Sequence, residues 1–166
     1  MARIIAVDPG TRLCGYAVFV DGEPVVAGVV RSKADTVAQR AGAMAADVLD
    51  ALPTCAQRLF DVAVVERPVI YPDSRERDSD IVDLAVSAGV IGGLLSGNAY
   101  ALVMPTPREW KGAVPKHIHN ERTKAKCPAA VSLVERDVPK GQQNHVWDAV
   151  GLALWYLNNY HSKGRR

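Results

Sequence analysis

The sequence predicts a mixed α/β domain, with helices on both faces of a five-stranded sheet. Two short unbroken apolar runs, at 4–7 and 62–65, are typical of strands buried on both faces. Between two further strand-like segments lies Asp21-Gly22, a strong hairpin signal. Segments with helical spacing of apolar residues come later, and strands followed by alternating elements indicate a mixed α/β sandwich.

The predicted strands place acidic residues at two strand ends. The first strand runs directly into Asp8, which begins the turn Asp8-Pro9-Gly10. The strands at 16–20 and 24–31 complete a three-stranded meander. The fourth strand, at 62–65, also runs into a carboxylate, Glu66, and a fifth is expected at 100–104. Two buried strands therefore each end in an acid.

Three longer helices are predicted from apolar residues at helical spacing, at 35–52, 80–96 and 143–159. Pro53 ends the first of them. The glycines of the second are expected to permit close packing; they are Gly89, Gly92 and Gly93.

The pattern weakens after a short helix that begins with Thr106 as its N-cap and Pro107 at its first position. Residues 108–127 carry many basic side chains without a clear apolar period. We expect this basic segment to be an irregular, substrate-facing insertion in a single domain spanning 1–166.

Composition favours a globular protein of the cytoplasm. The 166 residues are 48% hydrophobic and 23% charged, and the N-terminus has no secretory signal pattern. No uninterrupted apolar run approaches the roughly 20 residues of a membrane span. The cysteines are odd in number and widely spaced, which indicates reduced packing residues; they are Cys14, Cys55 and Cys127.

The two halves of the chain differ in charge. Residues 1–98 carry 9 Lys and Arg against 13 Asp and Glu, a net charge of −4. Residues 99–166 carry 11 against 5, a net charge of +6. Such a split indicates that the second half presents a surface to a polyanion.

The last helix brings further ligand-type residues. His145 and Asp148 are three residues apart, so they share one helix face, which can meet both acidic strand ends. Carboxylates about 4 Å apart repel by roughly 4 kcal/mol at an effective dielectric near 20, and a divalent cation removes this cost. Oxygen ligands suit Mg²⁺ or Mn²⁺, and an added imidazole is well tolerated by Mn²⁺. Two such ions would allow phosphodiester hydrolysis without a covalent enzyme nucleophile.

These motifs resemble the RuvC family of Holliday-junction resolvases, in order and in spacing, over nearly the whole chain. The matching stretches are Ile4-Ile5-Ala6-Val7-Asp8-Pro9-Gly10-Thr11 with Gly15, Val64-Val65-Glu66, and His145-Val146-Trp147-Asp148-Ala149. Tyr71-Pro72 and the stretch from Trp110-Lys111-Gly112 to Pro115-Lys116 look more like phage-type members.

The resemblance implies an RNase H-like fold and a homodimer that binds a four-way DNA junction. Such an enzyme nicks two opposed strands symmetrically and leaves 5′-phosphates. Asp8, Glu66 and Asp148 map onto family metal ligands for two Mg²⁺ ions, with Mn²⁺ as a substitute. His145 stands where many members carry an acid, so it is either a ligand or a general base.

Two groups of residues are expected to contact DNA. The family loop after the second acid helps to open the junction, which implicates Ile70, Tyr71, Arg75 and Arg77, and Arg67 directly after that acid is a further candidate. The basic segment would contact phosphates through Arg108, Lys111, Lys116, Arg122 and Lys124. These basic residues could instead form a solvated face.

The same residues are compatible with other functions. The chain could be a broader nuclease that also cuts forks and flaps, or a junction-binding scaffold without catalysis. The loop from Asp8 to Gly15 also resembles the phosphate loop of sugar and acetate kinases, in which Asp8 would hold metal–ATP. Those enzymes are much longer, and this chain lacks room for a second matching domain.

Overall fold

The computed structural model describes residues 2–52, 59–70 and 78–161. The predictions made for six residues fall outside these ranges: Pro53, Cys55, Tyr71, Pro72, Arg75 and Arg77.

The described strands form one mixed sheet with the order β3-β2-β1-β4-β5. Strand β1 pairs antiparallel with β2, and β2 with β3, whereas β1 pairs parallel with β4 and β4 with β5. The predicted five-stranded mixed sheet is therefore confirmed. The strands are β1 (Arg3–Asp8), β2 (Leu13–Val20), β3 (Glu23–Arg31), β4 (Val62–Val65) and β5 (Leu102–Val103).

Helices cover both faces of this sheet. Helices α1 and α2 pack on one face, where the core includes Ile5 and Val7. Helices α5 and α6 pack on the other, over Ile4 and Ala6. The helices are α1 (Val37–Asp50), α2 (Asp78–Ser96), α3 (Pro107–Trp110), α4 (Lys116–Lys126), α5 (Pro128–Asp137) and α6 (Gln143–Tyr156), which continues into a π-helical turn (Leu157–His161).

The basic segment at 108–127 is not irregular, since most of it lies in α3 and α4. Helix α4 has no apolar residues at helical spacing to indicate it in the sequence, because the side chains it buries are polar, Asn120 and Thr123. The Asn120 amide donates a hydrogen bond of 2.9 Å to Asn144 Oδ1, in the first turn of α6. Helix α5 also lies in a region where the sequence predicted no element.

Helix α2 is long and apolar enough to cross a membrane, judged by length and composition alone. The window Ser79–Ser96 has a mean hydropathy of 1.4 although it contains Asp80 and Asp83. Of this window, 33% is buried inside the protein. A core helix of a globular domain can have the same length and apolar composition. Here Ile91 and Leu95 are fully buried in the core beneath α1.

Candidate active site

Two neighbouring parallel strands carry acids to the same edge of the sheet. Side chains alternate between the faces of a strand, so Asp8 shares the face of Ile4 and Ala6, which α6 covers. Glu66 follows β4, whose Val65 pairs with Val7 of β1. Asp8 is 7% exposed and the Glu66 side chain 14% exposed. The strand ends therefore deliver two carboxylates to one shielded position.

Gly15 allows the start of α6 to approach these acids. It pairs with Asp8 in the β1–β2 register. A Cβ atom built on Gly15 would lie 2.2 Å from the carbonyl oxygen of His145, so no larger residue fits without a backbone shift. Because of this close approach, His145 Nδ1 lies 2.9 Å from Asp8 Oδ2.

Asp148 completes the acid cluster, defined here as Asp8, Glu66 and Asp148. It lies one turn after His145 on α6 and is 2% exposed. Its Oδ1 is buried and accepts no hydrogen bond from any part of the chain that the structure describes. All four residues that the sequence predicted as the catalytic centre are thus close enough to interact.

Two lysines and a tryptophan contact this cluster. Lys116 Nζ is 2.8 Å from Asp148 Oδ2, and Lys111 Nζ is 3.4 Å from Glu66 Oε2. The indole nitrogen of Trp110 donates a hydrogen bond of 2.6 Å to the same Glu66 oxygen. The sequence placed both lysines among the phosphate contacts, whereas their ammonium groups lie at the acids. Trp110 was no predicted site residue; only its position beside Lys111 could have indicated it.

Burial and mutual repulsion set the ionisation of the cluster. Burial raises the pKa of Asp8, which the hydrogen bond to His145 lowers in part and the charge of Asp148 raises further. Burial likewise raises the pKa of Glu66; Lys111 opposes this, and Asp8 adds to it. Burial lowers the pKa of Lys116, but its hydrogen bond with Asp148 and the nearby acids outweigh burial and raise it. The ionised forms of Asp8 and Glu66 are therefore disfavoured in the free protein.

The residues present suit a divalent cation. Asp148 supplies a buried carboxylate oxygen without a hydrogen-bond donor, and its charge raises the pKa of Asp8 and of Glu66. Carboxylate oxygens with one imidazole are ligands that Mg²⁺ and Mn²⁺ accept. In this structure the lysines neutralise the acids, and among the described residues no three His, Cys, Asp or Glu side chains are grouped closely enough to hold an ion. Ion binding would therefore displace Lys116 from Asp148, whereas both donors to Glu66 contact Oε2 and leave Oε1 to an ion.

The other predicted DNA contacts lie around this centre. Arg67 is exposed and lines a cleft of about 460 Å³ together with Trp155 and Tyr160. Arg108 and Arg122 are exposed on α3 and α4. Lys124 pairs with Glu121 at 2.8 Å and lies 5.7 Å above the ring of Trp147.

The sheet order, the helices on both faces and the acids at the sheet edge define an RNase H-like domain. Its fold is that of RuvC. The chain matches Thermus thermophilus RuvC in complex with a Holliday junction substrate with a TM-score of 0.67 and 18% identity, over 95% of this chain and 96% of that one. A second Thermus thermophilus RuvC structure gives 0.61 and 20%, over 98% and 96%.

A eukaryotic resolvase has the same fold. The yeast mitochondrial Holliday junction resolvase Ydc2 matches with a TM-score of 0.55 and 12% identity, over 98% of this chain and 82% of that one. No family model and no curated protein sequence matches the chain. The predicted likeness to RuvC is therefore confirmed as a likeness of fold.

Proposed function

We propose that this protein is a metal-dependent endonuclease that hydrolyses phosphodiester bonds in four-way DNA junctions. The observation that carries the proposal is the acid cluster, which two adjacent strand ends and α6 form on a RuvC fold. One similar structure holds a Holliday junction substrate, which favours branched DNA as the substrate. The products would be symmetric nicks in opposed strands with 5′-phosphate ends.

Asp8, Glu66 and Asp148 would hold two Mg²⁺ or Mn²⁺ ions. When bound, such ions activate water for in-line attack and stabilise the charge on the leaving 3′ oxygen. His145 either completes the ligand set or acts as the general base. Its Nδ1 is occupied by Asp8, and its side chain is 40% exposed, so its Nε2 can accept a proton from the solvent side.

Lys111 and Lys116 would neutralise charge in both states of the site. In the free protein they neutralise Glu66 and Asp148. The side chain of Lys116 is 50% exposed, so it can turn from the carboxylate to a DNA phosphate without leaving the site. We propose that these lysines contact the phosphate next to the cut, while further phosphate contacts come from Arg67, Arg75, Arg77, Arg108, Arg122 and Lys124, and Tyr71 stacks on a base.

Cleavage of labelled four-way junctions, forks, flaps and linear duplex in Mg²⁺ and in Mn²⁺ tests this function. Paired symmetric nicks confined to junctions, and absent in Asp8→Asn, are the expected result. Cuts in forks and flaps as well would establish a general branched-DNA nuclease instead. Junction binding without cleavage in either metal would leave a scaffold and refute the catalytic proposal.

We further propose that the protein is a homodimer that pairs through the outer face of α2. Val82 and Val86 are 57% and 38% exposed on this face. Gly89 and Gly93 continue the same stripe, and a Cβ atom on either would meet nothing within 4 Å in this chain. Small and branched apolar residues on one exposed face are suited to close packing against a second copy.

Gly89→Glu should therefore convert the dimer to a monomer. Within one chain the new side chain points into open space. Replacing a glycine inside a helix stabilises the helix by up to about 1 kcal/mol. In the dimer it would place a charge and extra volume between the two helices. Sedimentation velocity measures the change, and Gly42→Glu on α1 is the matched control that should stay dimeric. A Gly89→Glu variant with the wild-type sedimentation coefficient would refute this interface.

Mg²⁺ should raise the melting temperature more at pH 8 than at pH 5. The pKa values of Asp8 and Glu66 are raised above 3.8 and 4.5, so without metal their contribution to stability is complete below those values. It is lost as the pH rises through the raised values, where the ionised acids repel one another. Mg²⁺ binds the ionised form, so it should restore stability mainly at the higher pH. Thermal melts in EDTA and in Mg²⁺ measure this effect, and an equal shift in Asp8→Asn would contradict it.

A further inference from the structure

Trp110 links α3 to the carboxylate at the end of β4. Its indole nitrogen donates to Glu66 Oε2 at 2.6 Å, although the ring is 7% exposed and belongs to the hydrophobic core. Trp147 shows that a core indole in this protein need not find an acceptor, because its nitrogen is buried without one in the described part of the chain. Burial of the indole alone therefore does not account for the hydrogen bond from Trp110 to Glu66.

The indole of Trp110 is itself held against the backbone of α6. The ring of His119 packs edge-on against it, with centroids 4.8 Å apart and planes at 84°. A Cβ atom on Gly151 would lie 2.7 Å from the Trp110 ring and 2.8 Å from His119 Nε2, so both rings sit directly on the helix. Thr123 Oγ1 lies 3.3 Å from His119 Nε2 and helps to hold the imidazole. Three helices, α3, α4 and α6, therefore fix one indole.

Both donors to Glu66 contact the same oxygen. Lys111 Nζ approaches Oε2 at 3.4 Å and lies 4.7 Å from the centre of the Trp110 ring, within the range of a cation–π contact. Neither bond involves Oε1. A carboxylate held through one oxygen presents the other in a fixed orientation, which is the role of a hydrogen-bonded partner behind a metal ligand.

We propose that Trp110 is a positioning residue that orients the Glu66 carboxylate for cation binding, with His119 and Gly151 holding the indole in place. This inference rests on the proposed function only in treating Glu66 as a cation ligand. Trp110 does not touch substrate; it acts through Glu66. The assembly spans the sheet edge and three helices, so cation affinity at Glu66 depends on packing on α6.

The indole N–H resonances of ¹⁵N-labelled protein test the hydrogen bond without any cleavage assay. The chain has 3 tryptophans, and Trp110→Phe assigns the resonance of interest. In metal-free protein we expect the Trp110 resonance to lie downfield of that of Trp147. Glu66→Gln should move it upfield, and Mg²⁺ should shift it more than the other two. A Trp110 resonance whose chemical shift changes neither with Glu66→Gln nor with Mg²⁺ would overturn the proposal.

Cation affinity provides the second measurement. Trp110→Phe keeps most of the ring volume and removes the N–H, so we expect Mn²⁺ binding, followed by electron paramagnetic resonance of the free ion, to weaken 10- to 100-fold, on the order seen for partners behind metal ligands. On junctions kcat should fall while KM is unchanged. Trp155→Phe is the matched control and should keep wild-type Mn²⁺ affinity. Wild-type affinity in Trp110→Phe would refute the positioning role.

The outcomes separate the two proposals. Mn²⁺ binding that depends on Trp110, together with failure to cleave any DNA substrate, would refute the nuclease and leave the positioning role intact. Absence of Mn²⁺ binding in the wild type would overturn both. Should Trp110→Phe melt at a much lower temperature than the wild type, the response of the Trp110 resonance to Glu66→Gln, measured in protein that retains Trp110, still decides the question.

Discussion

Asp148→Asn should lower the rate of junction cleavage by at least about 10³-fold while leaving junction binding intact. The substitution keeps the shape of a side chain that is 2% exposed but removes its charge. Losing a ligand that holds a catalytic ion costs several kcal/mol of transition-state stabilisation, and each 1.4 kcal/mol corresponds to a factor of ten. Single-turnover cleavage and fluorescence anisotropy in EDTA measure the two properties separately.

Binding by this variant should be at least as tight as that of the wild type. The change removes a negative charge from the site and releases Lys116, whose Nζ is 2.8 Å from Asp148 Oδ2, for a DNA phosphate. Asp137→Asn is the matched control, since this carboxylate lies at the exposed end of α5 and pairs with Arg136. Cleavage by Asp148→Asn at more than a tenth of the wild-type rate would exclude Asp148 from the catalytic centre.

Gly15→Ala should both destabilise the fold and disable the site. The added methyl group would lie 2.2 Å from the carbonyl oxygen of His145 and 2.7 Å from the nitrogen of Val146, and both are backbone atoms that cannot rotate away. Forcing α6 off the sheet costs about 1–3 kcal/mol, the usual cost of overpacking, which lowers the melting temperature by several degrees. The same shift would move His145 away from Asp8 and break the contact of 2.9 Å between His145 Nδ1 and Asp8 Oδ2.

The matched control for this effect is Gly42→Ala. Gly42 lies within α1, and a Cβ atom there meets nothing within 4 Å. The same methyl group should therefore raise stability by up to about 1 kcal/mol through helix propensity and leave cleavage unchanged. If Gly15→Ala melted as the wild type and cleaved at the wild-type rate, the close approach of β2 and α6 would not be what assembles the site.

Local sequence signals predicted the elements that have a clear hydrophobic pattern. The unbroken apolar runs before Asp8 and Glu66 marked the two buried strands, because a strand covered on both faces needs apolar residues at every position. The longer helices were predicted to within a few residues. Helix α4 was not, since its buried side chains are polar: Asn120 donates to Asn144 in the first turn of α6, and Thr123 donates to the carbonyl oxygen of His119.

The residues of the acid cluster were readable from the sequence because each stands at an element boundary or on one helix face, where spacing alone fixes the side of the sheet it occupies. The side chains that surround these acids could not be predicted in this way. Lys111, Lys116 and Trp110 lie in the basic segment, and their charge and size do not state whether they point to solvent or to the acids. That was decided by the docking of α3 and α4 against α6, where Gly151 lets the rings of Trp110 and His119 lie on the helix, and by the close approach of β2 and α6 at Gly15. The sequence by itself thus determined the sheet and the acids on it, while the tertiary structure decided which cations and donors face them, because those contacts join positions that have no pattern in common along the chain.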